Sequence, residues 1–323
     1  MKRIFALLVA FCVIFAFAAC GGADGKDGTE AEVNNEDIQG LSFVLKQDGS
    51  YAVEIGDAKN SSRIVIPGTH DGKAVSEVGR FGFVSGSNTV LKDVVISEGI
   101  KIIGEKAFSG CSALTSVTIP DSVTTIGNGA FSGCSSLQGI TLPDSITSIG
   151  NYAFASCSGL QSITLPDGIK SISDYTFRGC SSLSDIKIPT TVATIGECAF
   201  SDCIALTSVT VPDNVISIGD EVFSGCSSLT SVSIGNGVTS IGDGVFYNCY
   251  NLISVTVGNG VMSIGGHVFF NCYDLISVAF ANPNGWAENY GEEISAETLS
   301  DPAMAAERLK NDYVTFGIYR EQN

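Results

Sequence analysis

Eight cysteines, Cys111, Cys134, Cys157, Cys180, Cys203, Cys226, Cys249 and Cys272, stand 23 residues apart with no slip in the spacing. Everything around them keeps the same step. A Phe lies three residues before each, from Phe108 to Phe269, and a Leu three residues after each, from Leu114 to Leu275. A period of this length marks a solenoid, in which each turn of chain buries its apolar side only against the next turn.

The unit at residues 104–126 reads GEKAFSGCSALTSVTIPDSVTTI, and its chemistry assigns most positions. Val117 and Ile119 alternate with Ser116 and Thr118, the period of a strand with one buried face. Pro120-Asp121-Ser122 predicts a turn, because Pro cannot donate to a ladder and Asp can bond nearby backbone. Val123 and Ile126 predict a second inward-facing extended piece, and Gly127 a tight corner. Ala130 and Phe131 are expected in a short helical turn that leads to Leu137 and the next strand.

This pattern resembles the leucine-rich-repeat surface proteins of the BspA type, whose repeat reads IxxIGxxAFxxCxxLxxVxIPxxV. Ile126-Gly127, Ala130-Phe131, Cys134, Leu137, Ile140, Leu142-Pro143 and Ile146 fill its slots in one pass. The likeness runs over about residues 64–280. Departures are local: Ser173 replaces the corner Gly, and Gly235 and Gly258 replace the turn Pro. Before Cys111, Asn88 stands at the Cys slot and Phe83 is displaced, which predicts an irregular first unit. The resemblance implies a leucine-rich-repeat solenoid, curved and β-rich, with a parallel sheet. Nine strands from Val94–Ile96 to Val278–Phe280, stacked at about 4.8 Å, predict a sheet roughly 40 Å long.

Both ends of such a stack need covering, since a bare terminal repeat exposes core and sheet edge. Residues 41–63 are read as the N-terminal cap, with a β-hairpin over 41–55 around Gln47-Asp48-Gly49. The repeats are expected over 64–281. Residues 282–323 are read as a helical C-terminal cap, opening on NPNGW (282–286) and continuing into LSDPAMAAERLKNDY (299–313), with Ser300 or Asp301 as helix cap and Pro302 in the first turn. The C-terminal run also looks like the segment seen in the BspA-type family.

Ahead of the caps, Lys2 and Arg3 precede an apolar run from Ile4 to Phe17, then Ala18-Ala19-Cys20 and polar sequence. Residues 1–19 are therefore expected to be a signal peptide. Phe17-Ala18-Ala19-Cys20 resembles the lipobox of bacterial lipoproteins, with Cys20 as the lipidated N-terminus, although Phe17 stands where Leu is usual. The alternative is an ordinary signal peptide with an incidental Cys. Residues 20–40 are then a lipidated Cys and a flexible, acidic, Gly-rich tether.

With 34 acidic against 17 basic residues the net charge is −17, which argues against gripping nucleic acid or anionic lipid by charge. His70 and His267 are the only two histidines and have no nucleophile motif beside them. The Gly-x-Gly strings, such as Gly127-Asn128-Gly129, belong to the repeat corner and lack a phosphate-loop pattern. Asp121, Asp144, Asp167 and Asp213 form a ladder that turn capping explains better than calcium. The cysteine column reads as buried free thiols in preference to disulfides or a metal site, because parallel side chains neither bridge easily nor surround an ion. No catalytic residue, metal or cofactor is expected.

One stretch of surface departs from the rest. The strand face is otherwise small hydroxyls, yet the last two repeats carry Tyr247, Tyr250, Ile253, Phe270, Tyr273 and Ile276 at slots that are mostly polar elsewhere. Such a cluster is either a partner-binding patch or the seat of the C-terminal segment with Trp286, Leu309 and Tyr313. The function expected is that of a surface-displayed, lipid-anchored protein of the bacterial envelope. Its solenoid would bind a protein or cell-surface ligand, in adhesion as the resemblance implies. The alternative is a scaffolding lipoprotein that binds components of its own envelope.

Overall fold

The computed structural model describes residues 39–83, 90–288, 293–311 and 318–320. The segments expected as signal peptide and, but for its last residues, as tether, together with Cys20, Asn88 and Tyr313, lie outside the described residues. Each repeat makes one turn of a coil with three sides. Two sides carry parallel strands; the third carries the Phe and Cys.

The third side is not the short helix the sequence suggests. Its residues form a string of tight turns in which alternate N–H groups do different jobs. Ala107, Ser109 and Cys111 close i−3 turns on Gly104, Lys106 and Phe108, while Lys106, Phe108 and Gly110 donate to Asn128, Ala130 and Ser132 of the next rung at 2.7–2.8 Å. A helix would claim all of these donors for itself. Half of them are spent tying rung to rung.

Beneath these turns the phenylalanines stack. From Phe108 to Phe269 successive rings lie 5.4–5.8 Å apart and within 15° of parallel, and none is more than 3% exposed. Burying each is worth about 1.5–3 kcal/mol. Phe83, displaced in sequence, nonetheless joins the column 5.0 Å from Phe108.

The first strand side starts one rung earlier than its periodic sequence, with Arg63–Ile66 paired to Asp93–Ile96. It is not the continuous nine-stranded sheet predicted. One piece ends at Ser116–Thr118, a second pairs only Gly139–Ile140 with Ser162–Ile163, and a third runs from Ser208–Val211 through Ser231–Ile234 and Ser254–Val257 to Ser277–Phe280. Residues 185–188 form no strand.

The breaks lie at rungs with proline at the turn slot, and a glycine there does not by itself secure a fourth pair, since Ser231–Ile234 and Ser254–Val257 pair over three residues ahead of Gly258. Where the next rung offers an N–H there, as at Ser97, Gly235 and Ala281, it donates to Ile66, Val211 and Val257 at 2.9–3.0 Å and four residues pair. Where the next rung has Pro120, Pro143, Pro166, Pro189 or Pro212, three, two or no residues pair. Proline removes one ladder donor from each of these rungs.

The second strand side is built from Lys73–Val78 and from two-residue strands such as Thr125–Ile126 and Thr194–Ile195. Gly127 N donates to Ile103 O at 2.7 Å, and a Cβ on Gly127 would come within 2.7 Å of Glu105 N. Where Ser173 takes this corner, Ser148–Ile149 and Ser171–Ile172 do not pair. The Ser173 hydroxyl supplies the missing donor to Ile149 O at 2.7 Å. The second side is thus broken between residues 149 and 171, and the first on either side of residues 185–188.

At the start of the chain Ser42–Leu45 and Tyr51–Glu54 form an antiparallel hairpin whose second strand pairs with Lys73–Val78. At the other end the helices Ala296–Ser300 and Pro302–Asn311 follow a strand at Trp286–Glu288. Ser295 caps the first through Thr298 N at 3.1 Å, and Asp301 bonds Ala303 N and Met304 N ahead of the second. The longer helix packs on Ser277–Phe280, and Trp286, 1% exposed, lies edge-on to Phe280 at 5.2 Å. Ile318–Arg320 pairs antiparallel with Ser263–Ile264.

Candidate functional site

The thiol column is structural. Each Sγ from Cys134 to Cys272 donates to the Phe carbonyl of the preceding rung at 3.1–3.3 Å. Burial pushes the thiols of Cys111, Cys226 and Cys272 up to about 12, so they stay protonated and unreactive. Cys198, outside the period, is 5% exposed and packs its Sγ 3.8 Å from Glu221 Oε2; burial first and that carboxylate second raise it to about 11.

The aspartates behave differently from the expected turn caps. Asp213 Oδ1 accepts from Asn236 N of the next rung at 2.6 Å, a tie between rungs and not within its own turn. Asn128, Asp174, Asp220 and Asp243 do the same at the corner, at 2.7–2.9 Å. Asp121, Asp144 and Asp167 make no side-chain hydrogen bond among the described residues. No cluster of three metal-ligating side chains occurs among the described residues. His70 stacks on Phe43 at 3.7 Å and His267 lies edge-on to Phe270 at 6.0 Å, so both imidazoles are packing surfaces.

The six residues singled out in the last repeats come together as two pairs of stacked rings with two isoleucines. Tyr247 faces Phe270 at 5.2 Å and Tyr250 faces Tyr273 at 5.8 Å. The C-terminal elements divide this set. Leu309 and Ile318 share a crevice with Phe270 and His267, and Lys310 Nζ donates to Leu275 O at 3.2 Å. Tyr247 and Phe270 are half-buried. Tyr250, Ile253, Tyr273 and Ile276 stay open, with Tyr273 and Ile276 at 67% and 65% exposed. A rigid base lies under them, since Cys249, Leu252, Cys272 and Leu275 are buried.

Two further exposed aromatic positions lie at a slot the sequence reading passed over. The residue two after the corner Gly is left-handed in rung after rung: Lys106, Tyr152, Tyr175, Cys198, Glu221 and His267 have φ of 50–58°, with Gly129 and Gly244 in the same column. Apart from the buried Cys198, the side chains of this column face outward or lie half-buried. Tyr152, 43% exposed, stacks on Tyr175 at 4.5 Å, and Phe81 in the first unit is 43% exposed between Arg80 and Lys106. The glycines at 129 and 244 were the sequence's only signal that this slot demands a positive φ.

A family model for BspA type leucine rich repeat regions matches residues 78–205 and 170–289, well over half of the chain. Among solved structures, a leucine-rich repeat protein from Bacteroides ovatus is 26% identical, with 76% of each chain covered and a TM-score of 0.50. A leucine-rich repeat protein of T. pallidum is also 26% identical over 76% of this chain and 90% of its own, at a TM-score of 0.47. A leucine rich cell surface protein from Faecalibacterium prausnitzii is 26% identical over 75% of this chain and 93% of its own, at 0.41. No curated protein matches the chain.

Proposed function

The chain belongs to the BspA-type leucine-rich-repeat family, and from that premise we propose that it is a surface-displayed, non-enzymatic binding protein that holds a protein or cell-surface ligand, in adhesion, on its last two repeats. One observation carries this reading. Tyr250, Ile253, Tyr273 and Ile276 form an exposed apolar column on a backbone tied on three sides, while the homologous slots of earlier rungs are mostly Ser, Thr and Gln. Aromatic anchors on a rigid, pre-organised base lose little entropy on binding and dominate interface energetics. Tyr247 and Phe270 support the column from its half-buried flank.

Cys20 is proposed as the lipid-carrying N-terminus that retains the protein at the membrane, with the acidic tether holding the solenoid clear of it. The proposal is tested by a binding screen of the mature protein against host matrix proteins and foreign cells. Tyr250→Ser/Tyr273→Ser is expected to fold and to lose saturable binding at least tenfold. Binding that survives in this variant would remove the column from the site, and binding confined to the organism's own envelope would replace adhesion with scaffolding. Cys20→Ser is expected to release the protein from membranes into the soluble fraction.

A further inference from the structure

A second site is carried by the faulted stretch of the first strand side, away from the aromatic column. From Ser116 to Ser277 the outward slots of this face hold Ser or Gly in one column and Thr, Ser or Ala in the other, with one exception: the rung at 185–188, which reads Asp-Ile-Lys-Ile. This is also the rung that forms no strand. A groove opens over it, lined by Asp144, Ser162, Thr164, Asp167, Asp185 and Lys187. It is continuous through Ser162 and Thr164 with a second groove reaching Thr141 and Ser116.

The charged groups here are idle. Asp185 and Lys187 point to the same face, two residues apart, yet neither makes an ion pair or side-chain hydrogen bond among the described residues, and Asp144 and Asp167 are equally unengaged. Their polar atoms are therefore free to meet a ligand that enters the groove.

We propose that this groove binds an uncharged, linear polysaccharide. Ile140, Ile163 and Leu165 form its floor and are each no more than 8% exposed, so it offers no pocket for an apolar side chain. Its walls offer hydroxyls that both donate and accept, three carboxylates that accept, and one ammonium that donates. A carboxylate can take both protons of a vicinal diol, and hydroxyls repeating at the rung spacing of about 4.8 Å suit a chain of sugar hydroxyls. Three carboxylates against one ammonium repel an anionic glycan. An extended peptide gains main-chain hydrogen bonds here only by entering as a strand between rungs. That route is closed, because Ser156 N donates to Arg178 O at 2.6 Å and Phe154 stacks on Phe177 at 5.6 Å across the same fault.

The test is isothermal titration of the mature protein with neutral hexaoses of glucose (β-1,4 and α-1,4), xylose and mannose, with hexagalacturonate and an extended Ser/Thr peptide alongside. At least one neutral hexaose is expected to bind saturably. That binding should weaken at least tenfold in Asp185→Ser/Lys187→Thr, a variant that restores the residues of neighbouring rungs and should melt with the wild type. It should be unchanged in Tyr250→Ser/Tyr273→Ser, so the failure of one site does not entail failure of the other. Saturation by no neutral hexaose, undiminished binding in the Asp185/Lys187 variant, binding only of the galacturonate or peptide, or loss in the tyrosine variant would each overturn the assignment.

Discussion

Rungs 139–188 and rungs 208–280 share one repeat, one Phe column and one thiol column, but only the second set forms a continuous ladder of three or four residues on its first strand side. The difference lies in a single atom type per turn. Gly235, Gly258 and Ala281 bring an amide hydrogen to the turn slot; Pro143, Pro166 and Pro189 bring none. The stack of rings is indifferent to that hydrogen, and the ladder is not. The solenoid is therefore held by two separable systems. One is apolar and continuous, the other is hydrogen-bonded and faulted.

The largest test addresses what both regions have in common. Burial holds Cys111, Cys226 and Cys272 at about 12 against an ordinary value of 9.0. Between those values the unfolded chain gives up thiol protons that the folded chain keeps. Stability that is fully present below pH 9 is thus expected to fall as pH rises toward 12, by about 1.4 kcal/mol per pH unit for each such thiol. Urea midpoints measured from pH 8 to pH 11 check this. A flat profile would mean that the thiols are not buried as described.

Next in size are the rings. Phe177→Ala and Phe246→Ala should each cost about 3–5 kcal/mol, with Phe177 at the upper end because residues 185–188 of its rung form no strand, leaving only the pairing of Ser171–Ile172 with Thr194–Ile195 beside it. Equal losses in urea unfolding would show that the ladders add nothing to the cohesion of the rungs. Ala281→Pro, which carries the faulted region's proline into the laddered one and removes the donor to Val257 O, should cost about 1–3 kcal/mol and speed amide exchange over Ser277–Phe280. The smallest effect belongs to repair. Pro166→Ala returns a donor facing Leu142 O, and its stability change should stay within about 0.5 kcal/mol because the added bond is offset by a freer unfolded chain. Its readout is slow exchange of the new amide at 166, and fast exchange there would assign the break to another cause.

The strong periodic signal made the architecture legible: Phe, Cys and Leu at fixed offsets, with Val123 and Ile126 between them, are the buried residues. The aromatic column was legible too, as a departure from that signal. Three features were not. The prolines at the turn slot are plain in the sequence, but that each one breaks a ladder depends on the carbonyl a neighbouring rung sets against it, which one repeat read alone does not show. Phe83 is out of step along the chain and in step in space, because a ring can reach the column from a shifted backbone. The left-handed column escaped notice because Tyr152, Tyr175 and Glu221 occupy a conformation usually left to glycine, at a cost of roughly 1–2 kcal/mol each that the ties to the next rung offset.

The parallel column of rings also bears on how such a molecule changes length over generations. Because each ring meets only the ring before and after it, at nearly the same separation throughout, an in-frame gain or loss of one repeat leaves every remaining contact of the same kind. Recombination between sister repeats can thus lengthen or shorten the solenoid while the segments at its two ends go on meeting the same kind of surface.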